Sequence, residues 1–258
     1  MKSFVSLTAA IIALFSLSAM GTVINVPGDY AAIQDAIDAS VDNDTVLVAD
    51  GTYPGRINFY GKGILLLSEN GPEYTTITPL VSYQPMVSFG NSEGRNSILS
   101  GFTIEGNETY WVIHIINTSP TIYNNIIKEG EVGIRLDEGG RPLIRRNEIK
   151  LCSHSFFAPK NGGGIRFQSA NGAVIDSNEI HDNYADVAGA IYLFECADVT
   201  VKQNLIYSNS SVYIGGLEIS ACENVDVLNN TLVDNTSTSI NLGSINSSNS
   251  NYVTIIGN

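Results

Sequence analysis

One seven-residue frame recurs along this chain: Leu143-Ile144-Arg145-Arg146-Asn147-Glu148-Ile149, then Val174 to Ile180, Thr200 to Ile206 and Asp226 to Leu232. Each copy sets an aliphatic residue three before an Asn and another two after it, and Thr121 to Ile127 and Thr254 to Asn258 fit the same frame. The Asn residues are 125, 147, 178, 204, 230 and 258, spaced by 22, 31, 26, 26 and 28. Such spacing is that of a solenoid unit, so the chain must stack one supersecondary unit on the next. Asn tolerates the left-handed backbone better than any residue except Gly, which places these residues at a sharp turn between short strands. Stacked coil on coil, their amides could also hydrogen-bond along the axis.

Ahead of each Asn stands an aliphatic-x-apolar triplet: Ile57-Asn58-Phe59, Val87-Ser88-Phe89, Ile113-His114-Ile115, Ile134-Arg135-Leu136, Ile165-Arg166-Phe167, Ile191-Tyr192-Leu193, Leu217-Glu218-Ile219 and Ile240-Asn241-Leu242. Period-two alternation turns the outer pair inward and the middle residue outward. Triplet to Asn takes 13 residues in four consecutive coils, so length variation falls in the other turn. The expected fold is all-β, about eight coils of three parallel strands, stacked at about 4.8 Å to a length of roughly 38 Å. Leu67, Leu99, Ile122, Ile144, Ile175, Val201, Val227 and Ile255 are expected as one internal row.

Residues 1–21 combine Lys2, an apolar run from Phe4 to Leu17 and a small-x-small end at Ala19-Met20-Gly21, the pattern of a secretory signal. The protein is therefore expected to be secreted or on the cell surface, with no membrane span in the mature chain. Residues 22–55 form the expected cap: a strand at Val23 to Val26, a turn and N-cap at Pro27-Gly28-Asp29, one helix from Tyr30 to Ala39 with Ile33, Ala36 and Ile37 on one face, a strand at Thr45 to Ala49, and a turn from Asp50 to Gly55. A solenoid needs such an element to cover its first apolar end. Residues 56–258 form the coils, and because the last one stops at Asn258 halfway round, further coils are expected beyond it.

The net charge of −13 argues against nucleic acid as a partner and against a general electrostatic attraction for polyanions such as uronic-acid polysaccharides, which only a local patch would override. Cys196 and Cys222 occupy equivalent places in neighbouring coils, where either a bridge or two stacked buried thiols could form. No D-x-D-type loop groups the many acidic residues, so no metal ligand set is assigned, although hard oxygen donors would suit calcium. His114, His154 and His181 fall in different coils, which argues against zinc.

With its Asn frame and triplets, residues 22–258 resemble the right-handed parallel β-helix proteins, the pectin-lyase-like superfamily. That resemblance implies a right-handed parallel β-helix with a short N-terminal capping helix. It implies no single activity, since the superfamily holds lyases, polygalacturonases, esterases, epimerases, tailspikes and non-catalytic surface proteins. Gly140-Arg141-Pro142 matches only part of the L-G-R-P-W element of pectin methylesterases, and Arg141-Pro142-Leu143-Ile144-Arg145 lacks the spacer of the R-x-P-x-x-R element of pectate lyases. His181-Asp182 is a fragment of the D-P-H-D element of alginate epimerases. No catalytic set is complete.

The candidate site is the row of outward triplet centres, above all Arg135, Arg166, Tyr192 and Glu218, one coil apart on one face. Arg can grip carboxylates with its planar fork and Tyr can stack on a sugar ring. A plain solvated face with an Arg166 to Glu218 attraction is the alternative. The longest turn, Leu151 to Gly163, adds His154, Phe156, Phe157 and Lys160 as a wall, followed by three glycines. Two functions are weighed: a monomeric surface or adhesion module that engages polysaccharide or a cell-surface glycan without cleaving it, and a carbohydrate-active enzyme. The latter is most simply a pectate-type lyase on an acidic polysaccharide, with calcium as possible cofactor and Arg166, Tyr192 and His154 or Lys160 as candidates for the chemistry.

Overall fold

The computed structural model describes residues 21–80, 83–107, 110–153, 161–239 and 244–258. The segment read as a secretory signal lies outside these residues except for Gly21, as do His154, Phe156, Phe157 and Lys160. The chain winds as a parallel β-helix. A ten-stranded base sheet runs from Val23–Val26 to Asn251–Ile256, and an eight-stranded front sheet carries the triplets. A third sheet, also of eight strands, runs from Gly51–Pro54 to Thr231–Val233. A fourth, of three short strands, joins Tyr184–Ala185, Ser210–Ser211 and Thr236–Ser237. Among the described residues the helix α1, Ile33–Ala39, is alone, and it buries Ile33, Ala36 and Ile37 against the first strands. No helix among the described residues is long and apolar enough to cross a membrane.

The core is three stacked apolar rows. Front-sheet pairs such as Ile134 and Leu136, Ile165 and Phe167, and Ile191 and Leu193 are fully buried, as the alternation of the triplets requires. Ile77, Ile104, Ile127, Ile149, Ile180 and Ile206 fill the third sheet's inner row. Each coil buries these side chains only against its neighbours, so stability resides in the coil-to-coil interfaces.

The corners show what the Asn residues do. The left-handed residue is the one before each Asn: Asn124, Arg146, Ser177, Gln203 and Asn229 have φ of 55°, 54°, 56°, 56° and 53°. The Asn itself turns inward and is buried at 125, 147, 178, 204 and 230. Asn178 Oδ1 accepts from the backbone N–H of Asn147 at 3.0 Å and from its Nδ2 at 3.1 Å. Asn178 Nδ2 donates to Ile144 O at 2.9 Å and to Asn204 Oδ1 at 3.0 Å. The ladder therefore satisfies corner amides that burial would otherwise strand. The expectation that Asn itself supplies the left-handed backbone is corrected: its neighbour turns the chain, and Asn is selected for its amide.

A second ladder, which the seven-residue frame does not reveal, joins Cys152, Asn183, Asn209 and Asn235 at the opposite end of the third sheet. A third corner holds Cys196 and Cys222, with Cys196 N–H donating to Cys222 Sγ at 3.3 Å and Cys222 N–H to Ser250 Oγ at 3.0 Å. All three cysteines are buried free thiols.

Four boundaries differ from expectation. The helix starts at Ile33, not Tyr30, because Asp29 spends its carboxylate on Asn25 rather than on a cap. Gly51–Pro54 is not a turn but the first strand of the third sheet, paired with Thr75–Thr78. In the internal row Leu66, not Leu67, pairs with Leu99, since the continuous run Ile64-Leu65-Leu66-Leu67 hides the alternation. The last front strand is Ile245–Ser248, with Asn246 rather than Asn241 beside Glu218; residues 240–243 lie outside the described residues.

Candidate functional site

The predicted row exists. Asn58, Ser88, His114, Arg135, Arg166, Tyr192, Glu218 and Asn246 are consecutive Cα partners across the front sheet. Two residues further along each strand, the same alternation sets out a second outward column that includes Asp137, Gln168, Phe194, Ser220 and Ser248. That column was legible by adding two to each triplet centre, and its members decide what the first row can do.

Arg135 is committed to neighbours. Its Nε lies 2.6 Å from Asp137 Oδ2, and its guanidinium carbon sits 3.9 Å from the centre of the Trp111 ring. His114 Nε2 lies 3.0 Å from the same carboxylate oxygen, and its ring meets Trp111 edge-on at 4.4 Å. Burial raises the Asp137 pKa, but hydrogen bonds from His114 and Arg135 outweigh it and hold the group at about 2.

Arg166 is different. Among the described residues no carboxylate lies within ion-pair distance of it; its Nη2 donates to Gln168 Oε1 at 3.2 Å, and its buried Nε has no hydrogen-bond partner. Burial, then the adjacent Arg135 charge, lowers its pKa from the ordinary arginine value. Guanidinium stays charged in proteins, so this marks an under-solvated cation.

Next in the row, Tyr192 is 8% exposed and its ring lies nearly parallel to Phe194, centres 6.1 Å apart. Burial and then the Glu218 charge raise its phenol pKa, against the Arg166 charge and a hydrogen bond from Asn161. Glu218 is 6% exposed, accepting from Asn246 Nδ2 at 2.8 Å and from Ser248 Oγ at 2.9 Å. The expected Arg166 to Glu218 attraction is therefore not a contact: Tyr192 stands between them, and Glu218 bonds to neutral donors. Of the expected turn, Leu151 to Ser153 and Asn161 to Gly163 are described. An added Cβ at Gly163 would lie 2.7 Å from Gly189 O and 2.8 Å from Tyr184 O, so glycine is required where the corner enters the Arg166 strand.

Other polar clusters are internally satisfied. His181 stacks on Tyr207 at 4.6 Å and sits between Asp182 and Glu148 at 2.7 and 3.1 Å. Tyr207 donates to Glu179 at 2.7 Å, a bond that pushes its phenol up to about 12. His114 and His181 lie on different sheets. Among the described residues no three His, Cys, Asp or Glu side chains form a group that could hold a metal ion.

Residues 87–258, about two thirds of the chain, match the family described as right handed beta helix region. A search of curated proteins finds no match. Among solved structures, the chain is similar to the A-module of mannuronan C-5 epimerase AlgE4 from Azotobacter vinelandii, at 16% identity over 82% of this chain and 74% of that one, with a TM-score of 0.35. It is also similar to the catalytic domain of a GH87 alpha-1,3-glucanase in complex with tetrasaccharides, at 12% identity over 90% of this chain and 58% of that one, TM-score 0.35. A third likeness is to ORF18 of Geobacillus virus E2, at 13% identity over 100% of this chain and 66% of that one, TM-score 0.29. With the coils, the ladders and the family match in place, the chain belongs to the right-handed β-helix family.

Proposed function

We propose that this chain is an exported, monomeric β-helix module that binds an acidic polysaccharide along its front sheet without cleaving it. One observation carries the reading: Arg166 is half-buried between Arg135 and Tyr192 and has no carboxylate of its own among the described residues. Two like charges on facing strands repel; Asp137 bonds directly to Arg135 and His114 and offsets the Arg166 charge only in part, from a longer distance. A ligand carboxylate would supply the missing counter-charge with a charge-assisted, two-pronged bond. Phe194, half-buried beside the Tyr192 ring, offers apolar ring surface to a sugar.

The two residues that follow Arg166 in the row are poorly suited to elimination. A lyase needs a base for the proton next to the carboxylate, and Tyr192 has its pKa raised, away from what a base at neutral pH requires. Glu218 is engaged by Asn246 and Ser248. The test is titration of the protein with a glucuronate-bearing oligosaccharide, read by calorimetry and by fluorescence of Trp111, the single tryptophan of the chain. Saturable binding that Arg166→Ala removes, with no ultraviolet absorbance from unsaturated ends, is the expected result. New absorbance would make the protein a lyase, and no binding to any acidic glycan would overturn the reading.

A further inference from the structure

Charge is ordered along the front row. Arg135 is neutralised by Asp137, Arg166 is not, Tyr192 is neutral, and Glu218 follows as an anion. Arg166 and Glu218 are two coil steps apart, roughly 9.6 Å at the ordinary strand spacing. Glu218 bonds to an amide and a hydroxyl, and no cation among the described residues pairs with it.

We infer that Glu218 restricts the ligand to sugar chains whose carboxylates are isolated, with one acid-bearing unit at Arg166 and neutral units over Tyr192 and Glu218. This rests on the acidic-glycan reading above. A pyranose unit in an extended chain is about as long as one coil step. A homopolyuronate laid along the row with a carboxylate on Arg166 therefore brings another beside Glu218. The two anions meet within about one Debye length, at a protein surface that screens them poorly. A neutral unit brings hydroxyl donors, which a carboxylate accepts. Arg166 provides the attraction and Glu218 the repulsion, and specificity comes from the difference.

The experiment compares a xylo-oligosaccharide bearing a single glucuronate branch with a galacturonate oligomer of equal ring number, titrated into the full chain at fixed ionic strength. The branched ligand should bind about tenfold tighter or more, equal to about 1.4 kcal/mol. Glu218→Gln should strengthen the galacturonate oligomer several-fold and should not strengthen the branched ligand, so the ratio between the two falls. The variant keeps its partners, since the Ser248 hydroxyl can reverse and accept from the new amide, and thermal unfolding checks that it folds. Independently of any variant, added salt should narrow the gap between the two ligands in the wild-type protein. Equal or tighter binding of the galacturonate oligomer to the wild type, or an unchanged ratio in Glu218→Gln, overturns the inference. If that binding still depends on Arg166, the acidic-glycan reading survives; binding of neither ligand removes both.

Discussion

Arg135 and Arg166 are Cα partners in adjacent front-sheet strands, and among the described residues a carboxylate lies within ion-pair distance of the first alone. Their substitutions should therefore separate. Arg166→Ala should weaken binding of a glucuronate-bearing oligosaccharide by about 1.5–3 kcal/mol, the value of a hydrogen bond to a charged group. Arg135→Ala should instead shift Trp111 emission without ligand, because it removes the guanidinium from the indole face and leaves Asp137 with His114 alone. Calorimetry and emission spectra of the two variants check this.

Asp137 sets an acid limit. Its carboxyl titrates at about 2 in the folded chain, below its ordinary value of 3.8. A depressed carboxyl stabilises the fold fully above its unfolded pKa, and that contribution disappears as pH falls through the folded one. The window is therefore pH 4 down to 2, and the amount is about 1–2 kcal/mol once partial exposure is discounted. Asp137→Asn should be less stable than wild type at pH 7 and should lose less stability across that window, as measured by urea unfolding at each pH.

Asn178 stands at the middle of the longer ladder, where its Oδ1 serves two donors of Asn147 and its Nδ2 serves Ile144 and Asn204. Asn178→Ala leaves the buried Asn147 N–H without its acceptor. The expected loss is about 2–4 kcal/mol, since each stranded buried group costs about 1–3 kcal/mol. Denaturant midpoints decide it, and a loss below 1 kcal/mol, roughly the net value of a single hydrogen bond, would mean that water replaces the ladder.

Much of this fold was legible because burial and backbone hydrogen bonding both leave periodic marks. Alternation in the triplets gave the inward and outward sides correctly from Ile57 to Ile219. It failed at Ile64 to Leu67, where four apolar residues in a row offer no parity. It failed again at Ile240, although the 13-residue spacing of the four preceding coils, counted back from Asn258, points to Ile245. The second ladder also had a signal: Asn183, Asn209 and Asn235 each follow a ladder Asn by five residues. At the site, the row of centres could be read, but which arginine is neutralised could not. That depends on where the Asp137, Gln168 and Trp111 side chains settle in three dimensions.

Gly163 ties coil packing to the site. It lies three residues before Arg166, and a methyl group there would meet only backbone, Gly189 O at 2.7 Å and Tyr184 O at 2.8 Å. Backbone held by neighbouring coils cannot rotate away as a side chain can, so the corner itself must move. Gly163→Ala should cost about 1–3 kcal/mol, the usual range for overpacking. Gly90→Ala is the control: its Cβ would find Ile116 atoms at 3.8 Å, an ordinary contact, and stability should stay within about 0.5 kcal/mol. The displaced corner feeds directly into the Ile165–Gln168 strand. Binding of the glucuronate-bearing oligosaccharide should therefore weaken in Gly163→Ala, while Gly90→Ala binds as wild type. Equal unfolding midpoints for the two variants would show that the corner yields, and that the glycine run before Arg166 is not held by close packing.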